Sequence, residues 1–211
     1  WEGDEGVYLL VSDYKSSHRD IDPTRLWYGL QLQLLLYLQA ACEGLDGNPA
    51  GAFYFTMKDP MVDTADVKEA AEKAIAKKLH LKGIVLADVD VVEALDSEPG
   101  YSFTKIFNAD CSVASSSDGY TPEEMAALLA HAKKMAAELA DRIRSGEITP
   151  SPAVIRDWNA CQWCDCAGVC KLDTSIPGHE KRELPPLSKQ ELLTLMANDT
   201  DAPGNEEDTS P

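Results

Sequence analysis

Basic residues are scarce in this chain: 19 Lys and Arg stand against 36 Asp and Glu in 211 residues, a formal net charge of −17. Proteins that coat nucleic acid draw their affinity from Lys and Arg neutralising phosphates, so this balance argues against a general DNA-coating protein. It leaves room for a metal-dependent site that handles a strand delivered by a partner. The acid excess is uneven, since residues 180–211 carry eight acids and three bases and alone contribute −5. Long apolar runs are missing too. No stretch of about 18 apolar residues occurs, which argues against a membrane-spanning helix. The most apolar segment, LQLQLLLYLQAA, is short and broken by three glutamines. No basic start followed by an apolar run marks a secretory leader, and no internal repeat is present. With 44% hydrophobic residues the chain can still bury a core. Its length suits one domain with a tail, or two small ones. It opens on Trp and in mid-pattern, which reads as a fragment of something longer.

The periodicity predicts an α/β fold. Residues 7–13 read as a strand, and SSHRDIDPT as a turn-rich connection. Pro23 suits a first helical turn with Asp22 as its N-cap, so a helix is expected over about 24–42. On it Leu26, Leu30, Gln33 or Leu34, Tyr37 and Ala41 share a face. AGAFYFTMK, about 50–58, reads as a second strand, and a helix is expected near 66–79. LKGIVLADVDVVEALD reads as a short strand and then a helical turn, and YSFTKIF, about 102–107, as a further strand. CSVASSSDG reads as a loop. Thr121-Pro122-Glu123-Glu124 is a strong helix start. From it Met125, Leu128, Leu129, Ala132, Met135, Leu139 and Ile143 form one apolar face through about Ser145, the face of a helix packed on a sheet. The segment 1–178 reads as one domain and 179–211 as an acidic tail. In that tail LSKQELLTLMA is a short amphipathic helix and NDTDAPGNEEDTSP is expected to be disordered.

Two constellations carry chemistry. At the end of the first strand, Asp13 and Lys15 are two residues apart and project to one side. A carboxylate there can bind Mg²⁺, a hard cation that prefers oxygen. A lysine beside it can orient a water and stabilise charge on a phosphate. The plain alternative is a solvated ion pair. On the following helix, Gln33 and Tyr37 share a face at i and i+4, where polar groups on an apolar stripe need partners. Here the plain alternative is a Gln capped by backbone and a Tyr at a core rim.

The second constellation is CQWCDCAGVC. Four of the chain's six cysteines, Cys161, Cys164, Cys166 and Cys170, fall within ten residues. Without a secretory signal this spacing reads as metal or cluster ligation before disulfides. Thiolates suit Zn²⁺ or an iron–sulfur cluster. Four could close a Zn²⁺ site, though ten residues is cramped for tetrahedral ligands. The C-x₂-C could be redox-active, but no thioredoxin-like context surrounds it.

VSDYKSS followed by YGLQLQLLLYLQAA resembles the nuclease core of the PD-(D/E)XK superfamily, RecB-like branch. With GAFYFTMKDPMV, LKGIVLADVDVVEALD and the cysteines, the resemblance over roughly 7–175 is to the C-terminal nuclease domain of AddB-type subunits of bacterial AddAB helicase–nucleases. It implies a restriction-endonuclease-like core and, in the full protein, a Mg²⁺-dependent deoxyribonuclease. That nuclease would cut DNA unwound by an AddA-type partner in double-strand-break repair, in the cytoplasm. Asp13 would be a metal ligand, with the backbone carbonyl of Tyr14 another and Lys15 the catalytic lysine. Gln33 and Tyr37 would be the motif pair beside the site, and Gln31 has no motif role. A [4Fe–4S] cluster would use Cys161, Cys164 and Cys170 plus a fourth cysteine far upstream, with Cys166 the extra one. Trp158 and Trp163 would pack around it.

The family's second metal-binding Asp, in the strand before Asp13, would fall ahead of Trp1. Asp4 and Glu5 sit in a turn-like WEGDEG and are poor substitutes. The chain by itself is therefore expected to bind Mg²⁺ weakly or not at all, to lack nuclease activity, and to carry an incomplete cluster. Two other readings stay open: a RecB-like module without catalysis that binds DNA ends or a protein partner, and a small Zn²⁺-binding interaction domain.

Overall fold

The computed structural model describes residues 1–3, 6–17, 19–57, 75, 80–96, 102–103 and 105–200. The chain divides into two compact units, one of residues 1–21 and 31–132, the other of residues 22–30 and 133–211.

The first unit is built on a five-stranded mixed sheet. Its strands are β1 (Glu2–Gly3), β2 (Gly6–Lys15), β3 (Asn48–Thr56), β4 (Lys82–Leu86) and β5 (Gly119–Tyr120), in that spatial order. β1 runs antiparallel to β2, β2 parallel to β3, β3 antiparallel to β4 and β4 parallel to β5. A parallel pair needs a crossover. Between β2 and β3 it contains helix α2 (Gln33–Leu45), whose Leu34, Leu35 and Leu38 are buried. On the sheet, Phe53 and Val85 form a buried cluster with Phe103 and Ile106, and the Phe53 and Phe103 rings stack with centroids 5.6 Å apart. β3 and β4 approach closely at Gly83, where any Cβ would run into the Ala52 carbonyl. Helix α3 (Val89–Leu95) follows β4, capped by Asp88, whose carboxylate accepts from the Val91 N–H at 3.0 Å.

The helix expected over 24–42 is two helices. α1 (Pro23–Trp27) starts as the sequence implies, with Asp22 Oδ1 accepting from the N–H of Thr24 at 2.8 Å. It stops at Gly29, which adopts φ +73. The Leu30 N–H then bonds back to the Arg25 carbonyl at 2.8 Å, and the Gly29 N–H to the Leu26 carbonyl at 3.2 Å. These two bonds and a left-handed glycine make a Schellman ending, so the apolar run is cut where periodicity alone carried it on. The strand expected near 102–107 is not formed among the described residues there. Phe107 makes one isolated bridge to Val113, while Phe103 and Ile106 serve the core. The third long strand is Lys82–Leu86 instead. The helix expected near 66–79 lies outside the described residues, apart from Ile75.

Helix α4 (Pro122–Arg144) begins as expected. Thr121 Oγ1 accepts from the Glu124 N–H, and Glu124 Oε2 accepts from the Thr121 N–H at 2.9 Å, a reciprocal capping box. Met125, Leu128, Leu129 and Ala132 are buried, but the apolar face does not stay covered to its end: Ile143 is 76% exposed.

The second unit holds a small sheet, β6 (Ala153–Ile155) between β7 (Trp158–Asn159) and β8 (Arg182–Glu183). It also holds α1, the short helix α5 (Ala167–Cys170) and α6 (Lys189–Thr200). Ala153, Ile155 and Leu184 form its small core with Tyr28 and Trp158. Leu192 and Met196 of α6 are buried, and the Thr24 hydroxyl accepts from the Leu187 N–H at 2.9 Å.

Candidate functional site

The register of β2 on β3 decides what surrounds Asp13. Asp13 pairs with Tyr54, Tyr14 with Phe55 and Lys15 with Thr56. Paired residues share a face and successive residues alternate, so Asp13, Lys15 and Tyr54 lie on one side, Tyr14 and Phe55 on the other. Lys15 Nζ lies 2.7 Å from Asp13 Oδ2, both side chains being partly exposed. That carboxylate oxygen is shut off from solvent and accepts no hydrogen bond. Its contact with Lys15 is thus an ion pair out of hydrogen-bond alignment.

Helix α2 closes the site from above. Lys15 Nζ donates to Gln33 Oε1 at 3.3 Å, and Gln33 Nε2 donates to the Tyr37 hydroxyl at 3.2 Å. An ammonium can only donate, so the amide must turn its oxygen to Lys15. Its nitrogen is left for Tyr37, one turn further along. The sequence argument for this pair rested on the cost of burial. Both side chains are in fact exposed, Tyr37 to 53%. What marks them is that they bond each other and the lysine.

Beneath Lys15 lies a residue that sequence reasoning missed. The Tyr54 ring centroid is 5.5 Å from Nζ, within cation–π range. Gln31, for which no role was assigned, donates from Nε2 to the Asp20 carbonyl at 2.8 Å and to the Tyr54 hydroxyl at 3.4 Å. The alternation of AGAFYFTMK put Tyr54 on a strand. Only the pairing of that strand with β2 put it opposite Asp13.

Four expected site side chains, Asp13, Lys15, Gln33 and Tyr37, come together. The Tyr14 side chain turns away, 63% exposed and edge-on to Phe55 at 5.6 Å; the role expected of it belongs to its backbone carbonyl. Asp4 and Glu5 lie outside the described residues. A buried carboxylate oxygen without a hydrogen-bond donor suits a hard cation in donor type, and Asp13 Oδ2 is such an atom.

The cysteines belong to the second unit. Asn159 caps a 3₁₀ turn (Ala160–Trp163) that carries Cys161, and α5 ends on Cys170. Cys161, Cys164, Cys166 and Cys170 are all exposed free thiols. Among the described residues no three His, Cys, Asp or Glu side chains stand together as a metal-binding group. The thiolate donor type suits a cluster, but the arrangement does not fit one as it stands. Nor do both tryptophans pack here as expected. Trp163 is 86% exposed, and Trp158 lies in the small core with its ring 4.6 Å from the Arg25 guanidinium carbon.

Comparison with known proteins follows the same residues. The model of the PD-(D/E)XK nuclease superfamily matches residues 2–171. The AddB-type ATP-dependent helicase/deoxyribonuclease subunit of Alkaliphilus metalliredigens is 32% identical over 207 residues, covering 93% of this chain and 18% of that protein. Its namesake from Clostridium tetani is 35% identical over 206 residues, covering 92% of this chain and 18% of its own length. That from Thermoanaerobacter sp. is 31% identical over 218 residues, with 99% and 19% covered. The chain thus spans under a fifth of the length of these relatives.

Proposed function

This chain belongs to the PD-(D/E)XK nuclease superfamily, and we propose that it is the nuclease region of a helicase–deoxyribonuclease subunit that hydrolyses DNA phosphodiesters. One observation carries the reading. Lys15 is held at a strand end between a carboxylate, an amide oxygen and an aromatic ring, 2.7 Å from a solvent-shielded oxygen of Asp13. A surface ion pair has no need of that enclosure.

In this reading Asp13 and the Tyr14 carbonyl hold a magnesium ion, which when bound supplies Lewis-acid stabilisation of charge on the phosphoryl oxygens. Lys15 orients the attacking water and places a positive charge beside the phosphate. Gln33 holds the lysine's direction, and Tyr37 holds that of Gln33. Magnesium prefers near-octahedral oxygen coordination, so a second acid is required. In the register of β1 on β2, Glu2 stands opposite Val7 and Gly3 opposite Gly6. Continued outward, it sets the residue six positions before Glu2 opposite Asp13, and we propose the second acid at or beside that position. In the longer polypeptide, Cys161, Cys164 and Cys170 would take a [4Fe–4S] cluster only with a fourth thiolate and a rearranged loop. No step of the reaction depends on it. Repair of double-strand breaks with a helicase partner subunit, in the cytoplasm, is the setting we propose.

The test is Mg²⁺-dependent cleavage of single-stranded DNA by the full-length polypeptide, as wild type and as Lys15→Ala. We expect wild type to cut and Lys15→Ala to lose at least about a hundredfold in rate, the scale of a lost electrostatic group. Absence of cutting by the metal-loaded wild type would instead favour a module that binds DNA ends or a partner without catalysis.

A further inference from the structure

We propose that Tyr54 is a positioning residue for Lys15, a ring platform locked by Gln31 that keeps the ammonium beside Asp13 when substrate arrives. This rests on the nuclease reading for its consequence in rate, but its geometry stands apart from it.

A lysine has four rotatable bonds, and its ammonium strays unless several groups fix it. On this face Lys15 has three fixing groups: Asp13 Oδ2 at 2.7 Å, Gln33 Oε1 at 3.3 Å and the Tyr54 ring at 5.5 Å. The first two are acceptors that compete for other partners once a phosphate and a cation enter. The ring cannot be drawn off in that way. It is buried at 5% exposure and sits in the middle of a three-strand stretch, paired to Asp13 on one side and Lys82 on the other. Its face attracts a cation through the ring quadrupole. Only the hydroxyl tip could let it swing, and that tip takes a hydrogen bond from Gln31 Nε2 at 3.4 Å. The same nitrogen holds the Asp20 carbonyl at 2.8 Å, in the chain that leaves β2. Gln31 therefore ties the floor of the site to the segment following Lys15. This also accounts for a glutamine that no motif explained.

The experiment uses the full-length polypeptide with Tyr54→Leu, Tyr54→Phe and Lys15→Ala, each assayed for kcat and KM on single-stranded DNA. Tyr54→Leu is expected to lower kcat about tenfold, the fold-change matching a partly desolvated cation–π contact, with KM unchanged. Tyr54→Phe keeps the ring and is expected to recover most of the loss. Tyr54→Leu with wild-type kcat overturns the proposal, as does Tyr54→Phe falling as far as Leu.

A second readout needs no activity. Lysines are reductively methylated with ¹³C-formaldehyde, and the Lys15 signal is identified as the one lost in Lys15→Arg. It should lie upfield of the bulk lysines in wild type and Tyr54→Phe, through the ring current, and rejoin them in Tyr54→Leu. A Lys15 signal among the bulk lysines in wild type overturns the platform even if Tyr54→Leu fails to fold. A Lys15→Ala protein that cuts at the wild-type rate would sink the catalytic reading of the lysine, and the resonance position would still decide on the platform.

Discussion

Lys15 and Gln33, eighteen residues apart in the chain, meet at 3.3 Å, with the amide oxygen turned to the ammonium because its nitrogen is engaged by Tyr37. The pair joins a strand end to a helix start. Tyr37→Phe removes the acceptor for Gln33 Nε2 and leaves the amide free to flip. One neutral hydrogen bond is worth roughly 0.5–1.5 kcal/mol net, so we expect the DNA-cleavage rate of the full-length protein to fall roughly two- to twelvefold. Gln33→Leu should fall further, since it removes the lysine's own acceptor. Steady-state kinetics of both variants beside Lys15→Ala checks the order, and a Tyr37→Phe loss equal to that of Lys15→Ala would mean Tyr37 does more than orient.

Gly29 ends α1 with φ +73, and a Cβ there would come within 2.8 Å of the Met135 Cγ. Gly29→Ala must therefore carry both a left-handed backbone and a crowded neighbour. We expect a loss of roughly 1–2 kcal/mol from the backbone conformation alone, read as a lowered denaturation midpoint with an unchanged denaturant slope. Gly146, also at positive φ but with open space around it, should lose only the backbone part when changed to Ala.

Glu191 caps α6, accepting from the Ser188 N–H and hydroxyl at 2.7 Å each. The backbone bond first, and the hydroxyl with it, hold its carboxyl below the ordinary glutamate value. A group with a lowered folded-state pKa contributes stability that is present above its unfolded pKa and lost as pH falls through the folded one. Acid titration of stability should thus weaken the second unit below the usual glutamate range. Glu191→Gln should flatten that dependence and be less stable at neutral pH. A pH series of denaturation curves for the two proteins reads the difference, and parallel curves would count against the cap.

Cys42 is half-buried on α2 and burial pushes its thiol up. The other five cysteines are exposed. In metal-free protein at pH 8, five thiols should therefore alkylate quickly and Cys42 slowly, since the thiolate is the reactive form. Intact-mass spectrometry over a time course counts the adducts. If the full-length protein carries a cluster, three of the fast thiols should become protected until chelation.

Much of the site was legible because its signals are local. Asp13 and Lys15 follow from the two-residue period of one strand, Gln33 and Tyr37 from the four-residue spacing of one helix. Asp22 and Thr121 announce their helices by side-chain chemistry at the first turn. The break between α1 and α2 was written in the sequence as Gly29, but a glycine within an apolar run reads as tolerated until its carbonyl partners are seen. The expected strand at about 102–107 failed for a related reason: a short aromatic stretch suits a pleated strand and a core plug alike. Phe103 and Ile106 became plugs because Phe53 and Val85 were there to receive them.

The sequence by itself determined which residues stand ready at the strand end and the helix start, because each such choice is made within a few residues by backbone period and capping. The tertiary structure alone decided that β3 lies parallel to β2 in the register that sets Tyr54 opposite Asp13, and that α2 lowers Gln33 onto Lys15. Strand pairing brings together residues about forty apart, and its register follows from how the buried faces fit. No local pattern in either strand encodes that fit, so the ring beneath the lysine could be found only in the folded chain.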